Sequence, residues 1–351
     1  MQDALNHLEA LLLSGDETNF ELAQQLALGL FGRLEDWDFY RQWQELQLFY
    51  SLALDRPNVE IIDLVRYMRR IGISLDRPNI EMAVLPNAFA VCKDIVRRIN
   101  LQETTIETLG AGFSNYALVE EVSIRHSPFQ YLEDYFWNWK NLRKIELLNC
   151  NISNIPAAIQ QLTALETLKI TSYNYVTIHE NICLLPNLQL LHYDVWDIRD
   201  MRNNTVQDYI PDSICRIHSL KSLQLNGGSK LGIPNTMNLP NLQKLSFYEF
   251  NSEHFPSTFE NLSQLTEVYI SSCKSLDKLP DFLYQLPKLE RLYLENIPLS
   301  LESIQDRILE LKSLKTLVYK QAFAYNRRAT ARLKQEWEEK FPHIELYLLK
   351  F

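Results

Sequence analysis

The segment Leu142-Arg143-Lys144-Ile145-Glu146-Leu147 places apolar residues first, fourth and sixth, and the same spacing occurs ten times along the chain. The first apolar residues are Val96, Val119, Leu142, Leu165, Leu188, Leu220, Leu242, Leu265, Leu289 and Leu314, separated by 23, 23, 23, 23, 32, 22, 23, 24 and 25 residues. A period this regular constrains the fold more than local propensity does. Each unit can bury its apolar side chains only against the units beside it. Alternating apolar residues in a short segment turn one side chain in two inward, as a strand requires. One strand per unit, stacked in parallel, predicts an α/β solenoid: a curved array with a parallel sheet on its concave face.

A second signature lies between the strands: an apolar residue, proline, two variable residues, an apolar residue, two more, then leucine or isoleucine. Ile155-Pro156 through Leu162 shows it, and it returns at Ile210-Pro211, Phe255-Pro256 and Leu279-Pro280, with a shortened version from Ile233-Pro234. Proline fixes its own backbone and lacks a donor, which suits irregular chain on the outer side of the arc. Together the two signatures resemble the leucine-rich-repeat family, in its 23-residue class found in many bacterial proteins and in eukaryotic Ras-binding scaffolds. The resemblance implies a non-enzymatic module that mediates protein–protein interaction through its concave sheet. Repeats of that family usually carry Asn or Cys three residues beyond the third apolar position. Cys150 and Cys273 fill that place here, but Tyr173, Trp196, Phe250 and Ile297 fill it elsewhere, so an irregular turn ladder is expected.

The expected organisation is a helical segment over 1–84, repeats over 85–322 and a C-terminal cap over 323–351. Ala4, Leu5, Leu8, Leu11 and Leu12 follow helical spacing, Leu22, Leu26, Leu28 and Leu30 extend the apolar pattern, and Trp37 to Leu52 reads as a further helix. Asn58, in the first of two Asp-Arg-Pro-Asn motifs, is a candidate N-cap. Two readings of this segment stand open: a cap over the end of the repeat core, or a separate effector or docking domain. At the other end Ala329 to Lys340 reads as a helix stopped by Phe341-Pro342, followed by a last strand through Ile344, Leu346 and Tyr347.

With 46% hydrophobic and 23% charged residues the chain reads as globular, and a net charge of −9 argues against nucleic acid as partner. Met1 to Leu13 lacks the charge pattern of an export signal, and no run of about 18 apolar residues suggests a membrane span. Five scattered cysteines, with no C-x-x-C pair, suggest neither a zinc site nor a disulfide framework. A monomer in a reducing cytoplasm is the expectation, with an exported surface adhesin as the rival. No phosphate-binding glycine loop, H-E-x-x-H or G-x-S-x-G motif occurs, so neither enzyme chemistry nor a cofactor or metal is expected.

If the strands stack as proposed, the residues between the inward leucines form columns on the concave face. The column Arg98, Glu121, Lys144, Thr167, Leu190, Ser222, Lys244, Glu267, Arg291, Thr316 alternates in sign at both ends, so its charges are expected to pair with one another. The next column brings Tyr269 and Tyr293 onto neighbouring strands, with Tyr248 diagonal to them and His192 further along. Such a tyrosine cluster fits a partner-binding surface, or an aromatic ladder that stiffens the sheet. The 32-residue interval inserts a loop within Asp194 to Tyr209 whose Trp196 and Arg199 are further candidates for partner contact. In Tyr135-Phe136-Trp137-Asn138-Trp139, register assigns Phe136 and Trp139 to the core and leaves Trp137 exposed.

Overall fold

A computed structural model of the protein describes residues 2–55, 59–78, 80–172, 176–195, 208–209, 212–226, 231–232, 237, 239–249, 255, 257–321 and 327–350. The chain forms two compact units, residues 1–153 with 161–165 and residues 154–160 with 166–351.

The first unit opens with four helices, α1 (Gln2–Leu12), α2 (Glu17–Phe31), α3 (Asp38–Ala53) and α4 (Ile61–Arg70). Asp16 caps α2 by accepting from the Asn19 amide at 3.0 Å, which satisfies one of the donors left free at a helix start. Arg69 and Arg66 of α4 donate to the carbonyls of Leu13 and Gly15 at 2.7 and 2.8 Å and so tie α4 to the α1–α2 turn. The N-cap of α4 is Glu60, without a side-chain cap bond, rather than Asn58, which lies outside the described residues. Gly72 joins α4 to the sheet at φ 89°, and a Cβ there would stand 2.1 Å from the Arg98 carbonyl oxygen, so only glycine fits.

Four parallel strands follow, β1 (Ile73–Asp76), β2 (Arg98–Gln102), β3 (Glu121–Arg125) and β4 (Lys144–Leu148), with Ile99 paired to Ile73 and Val122, and Val122 to Ile145. Between them the chain returns through 3-10 turns at Asn87–Cys92, Ala111–Phe113 and Asp134–Asn138. Aromatic side chains on these turns form a continuous buried line. Phe49 of α3 meets Phe89 edge-on at 5.4 Å, Phe89 lies 5.7 Å from Phe113, Phe113 stacks on Tyr116 at 4.7 Å, and Trp139 lies 6.4 Å from Tyr116 and 4.7 Å from Phe136. The Tyr116 hydroxyl donates to the Phe89 carbonyl, and burial holds its phenol far above the ordinary value. Phe136 and Trp139 are core, as register predicts. Trp137 is not exposed: its indole sits edge-on to Phe136 at 5.4 Å and is 2% exposed.

The second unit carries eight parallel strands: β5 (Thr167–Ser172), β6 (Leu190–Val195), β7 (Ser222–Asn226), β8 (Lys244–Tyr248), β9 (Glu267–Ser271), β10 (Arg291–Glu295), β11 (Thr316–Gln321) and β12 (Glu345–Lys350). Their inward residues, such as Leu223 and Leu225 or Leu292 and Leu294, are fully buried. Short 3-10 turns, including Ala157–Gln161 and Asp281–Gln285, give way near the end to α5 (Leu301–Ile308) and α6 (Arg327–Lys340). Ser300 caps α5 through the Ser303 amide at 3.1 Å. No helix among the described residues is long and apolar enough to cross a membrane.

All ten strands expected from the repeat are present, and β1 and β12 flank them. The final strand follows from the Ile344–Tyr347 pattern, but β1 lies inside the segment read as helical. Both end strands escape the repeat template because a polar residue, Arg70 or His343, stands at the first apolar position. End repeats of a stacked array are commonly atypical in this way. A second difference is in α2, which buries Phe20, Ala23 and Ala27 and leaves Leu22, Leu26, Leu28 and Leu30 exposed.

Where the resemblance implies an Asn or Cys ladder, the first unit uses hydroxyls and a thiol. Thr104 and Ser127 share a hydrogen bond of 2.9 Å, and the Cys150 thiol reaches the Ile124 carbonyl at 3.4 Å. The residue after each of seven strands is left-handed without being glycine: Arg77, Glu103, His126, Asn149, Glu249, Ser272 and Asn296, at φ 46–56°. Amides such as those of His126, Glu249 and Asn296 donate to the end of the next strand, at Leu148, Ser271 and Lys320, at 2.8–2.9 Å. These bonds turn the chain away from the sheet at the same height in each repeat. A β-branched residue tolerates this conformation poorly. Glu249→Val is therefore expected to lower stability by about 1–2 kcal/mol, and Glu249→Gly to leave it unchanged or raise it, as read from urea unfolding midpoints.

Candidate functional site

The outward residues of β8–β12 form two rows in register. One runs Ser246, Tyr269, Tyr293, Val318, Tyr347 and the other Tyr248, Ser271, Glu295, Lys320, Leu349. Tyr248 stacks on Tyr269 with ring centroids 5.0 Å apart and planes at 30°, and Tyr269 on Tyr293 at 5.6 Å and 27°. Strand spacing of about 4.8 Å sets this distance. Glu295 accepts the Tyr269 hydroxyl and the Lys320 ammonium, the latter at 2.8 Å. Burial, then the Glu295 and Asp194 carboxylates, push the Tyr248 phenol above its ordinary value, so its hydroxyl stays protonated at neutral pH. At the far end Tyr347 and Leu349 are 44% and 49% exposed and prolong the apolar strip.

The structure thus brings Tyr248, Tyr269 and Tyr293 together. His192 lies on the same face in the row of Tyr269, three strands away, its Nε2 3.8 Å from Asp194 Oδ2. Trp196 and Arg199, with the rest of the inserted loop from 196 to 207, lie outside the described residues. Sequence reasoning placed Val318 in the tyrosine column without singling it out, and missed Tyr347 and Leu349, which extending the columns onto the last strand would have found. It placed Asp194 in the column of Tyr248 but not Asn226, which shares that row, and it did not see that both carry buried side-chain oxygens with no hydrogen-bond partner among the described residues. An unmet buried acceptor of this kind costs about 1–3 kcal/mol.

The charged column pairs as expected in the second unit, where Glu267 receives Lys244 at 3.1 Å and also Arg291. In the first unit it does not. Lys144 turns from Glu121 to Glu146 of its own strand at 3.1 Å, Arg125 joins it at 2.6 Å, and Arg98 donates to the Arg70 carbonyl. The cause is burial: the Glu146 side chain is only 3% exposed, and a buried carboxylate demands partners that an exposed one can find in water. Around this cluster lies a polar recess of about 340 Å³, lined by Ser74, Arg98, Asn100, Ser123, Arg125 and Glu146 among others.

Burial raises the Cys92 thiol steeply and pushes Cys150 up to about 12, so both are held as thiols at neutral pH. A thiol in that state is a poor nucleophile. No group of His, Cys, Asp and Glu among the described residues is arranged to hold a metal ion.

Residues 237–297, which include the three tyrosines, match the family described as R13L1/DRL21 LRRs. Disease resistance protein RML1A of Arabidopsis thaliana is 28% identical over 142 residues, which cover 36% of this chain and only 14% of that protein. Among solved structures, an internalin (inlF) of Listeria monocytogenes aligns over 80% of this chain and 83% of its own at 16% identity and TM-score 0.48. A leucine-rich-repeat protein of Leptospira interrogans aligns over 82% and 86% at 16% identity and TM-score 0.35. With a parallel strand at each turn of the period, leucines inward and 3-10 turns outside, the chain is a leucine-rich-repeat protein.

Proposed function

We propose that the protein is a non-enzymatic interaction module that binds another protein on the open face of β8–β12, with Tyr248, Tyr269 and Tyr293 at the centre of the contact. The observation that carries this reading is the stacked tyrosine row, half-buried, continuous with Val318, exposed Tyr347 and exposed Leu349. Rings held by their neighbours lose little freedom on binding and offer both apolar area and a hydroxyl. The charges beside them are engaged with one another, Glu267 taking both Lys244 and Arg291, so apolar and hydrogen-bonded contact supplies most of the affinity. A protein-interaction role accords with the family in general, and the location on this face is our inference.

A photo-crosslinking residue placed at Val318, in the row of the tyrosines, tests the location in lysate of the native cell. The expected result is one dominant protein adduct, absent when the same group replaces the exposed Lys278 on the outer side. Adducts that form equally at both positions, or at Lys278 alone, would contradict the assignment.

A further inference from the structure

The short side chains of one row leave a trough across the first four strands. Ser74, Asn100 and Ser123 follow one another on β1, β2 and β3 and lead to Glu146 on β4. Longer residues stand in the rows on either side, Arg98, Glu121 and Lys144 in one and Gln102 and Arg125 in the other. They wall the polar recess of about 340 Å³. Four strands at a spacing of about 4.8 Å make the trough about 14 Å long, the reach of about four residues of extended chain. It ends at the buried Glu146 carboxylate, with Arg125 on one oxygen at 2.6 Å and Lys144 on the other at 3.1 Å. No aromatic side chain among the described residues lines it, in contrast to the tyrosine face of the second unit.

The open hydrogen-bonding capacity of this recess belongs to cations. Arg125 commits Nε to Ser123 and Nη2 to Glu146 and keeps Nη1, Lys144 meets Glu146 alone, and Arg98 commits only Nη2, to the Arg70 carbonyl. The Arg125 and Lys144 side chains are 40% and 37% exposed, so a ligand can reach both. Three cations and two carboxylates line the recess. The charges just outside it balance: Arg77 pairs with Glu103 and Arg97 with Glu120, while Arg70 before β1 is matched in number by Asp76 at its end. One added carboxylate therefore brings the recess to neutrality, whereas a doubly charged phosphate overshoots and lies against the buried Glu146. Glu121, exposed and without a side-chain partner among the described residues, stands between Arg98 and Lys144 and competes with a ligand for them. On the floor Asn100 gives Nδ2 to Ser74 at 3.4 Å and keeps its Oδ1 for a further donor. We propose that this recess is a second binding site, independent of the tyrosine face, which takes a carboxylate of an extended peptide. Arg98, Arg125 and Lys144 hold the carboxylate through charge-assisted bonds, and Asn100 accepts from a peptide amide.

The test is titration calorimetry at low salt, with the full chain and three N-acetylated peptides of six residues built from glycine and glutamine. One carries a single central glutamate and an amidated C-terminus, the second no glutamate but a free C-terminal carboxylate, and the third neither. At least one of the first two should bind, and which of them binds tells an acidic side chain from a chain end; the third should not. Arg98→Gln/Lys144→Gln should weaken the complex at least about tenfold. Arg125 stays in place there to meet Glu146, and an unchanged melting temperature confirms the fold. Glu121→Gln should tighten binding, because it removes the competing carboxylate and touches no partner. Tyr269→Ala/Tyr293→Ala should bind the peptide as wild type does, which separates this site from the tyrosine face. Failure of both carboxylate peptides, equal binding of the uncharged one, or undiminished binding by the Arg98/Lys144 variant would overturn the proposal. So would weaker binding by Glu121→Gln, which would assign the recess to a cation, or displacement of the peptide by inorganic phosphate where equal acetate has no effect, which would assign it to a phosphoryl group.

Discussion

Phe89→Ala is expected to lower the unfolding free energy by about 3–5 kcal/mol. Phe89 is fully buried and touches Phe49 and Tyr50 of α3 on one side and Phe113 of the next turn on the other, at 5.4, 6.1 and 5.7 Å. Its carbonyl also receives the Tyr116 hydroxyl. Truncation removes a ring from the middle of an aromatic line whose neighbours are themselves rigid, so the cavity cannot close. In a stacked array stability is a sum of nearest-neighbour terms, and this residue belongs to the term that joins the helices to the first repeats. Guanidinium unfolding should show the loss. Hydrogen exchange should show α3 and β1 opening at lower cost than β3 and β4. A loss below about 1 kcal/mol, the size of an ordinary surface change, would contradict the account of this core.

The repeat was legible because its cause is simple. A strand that must bury alternate side chains against identical neighbours has few ways to vary, and the first, fourth and sixth positions located all ten strands from Arg98 to Gln321. Legibility failed where a residue answers to something other than that rule. Arg70 and His343 hide the end strands, since the outermost repeats need not fill the apolar position that inner repeats require. Trp137 stands in register with Gln160, which is exposed, yet a side chain of that size folds back onto Phe136. The leucines of α2 follow helical spacing, and spacing alone cannot say which of two faces is covered.

The candidate site was legible in part for the same reason. Register is fixed by the leucines, so the tyrosines of β8, β9 and β10 had to fall side by side, and their stacking follows from strand spacing. Charge pairing was less predictable. Lys144 had two carboxylates within reach, Glu121 on the next strand and Glu146 on its own, and burial decided between them. Burial depends on neighbours that no column of residues reveals. The unmet acceptors of Asp194 and Asn226 belong to the same class, because satisfaction of a polar group is a property of the packed structure.

The largest effect on binding is expected from Tyr269→Ala/Tyr293→Ala. The two rings make both stacking contacts of the row, and Tyr269 also positions Glu295 through its hydroxyl. Removing them deletes the centre of the proposed contact and leaves Tyr248 without a ring to lean on. Loss of two such anchors costs a partner on the order of 2 kcal/mol or more, a factor of about thirty. The fold should survive, because exposed-face aromatic pairs contribute only about 0.5–1.5 kcal/mol each beyond their buried area and the inward leucines of these strands are untouched. Titration calorimetry of the partner captured through position 318, against wild type and this double variant, is the most direct test of the claim that the tyrosine face is the binding surface. The expected result is a dissociation constant raised at least about thirtyfold in a variant that still unfolds cooperatively. An unchanged constant would contradict it.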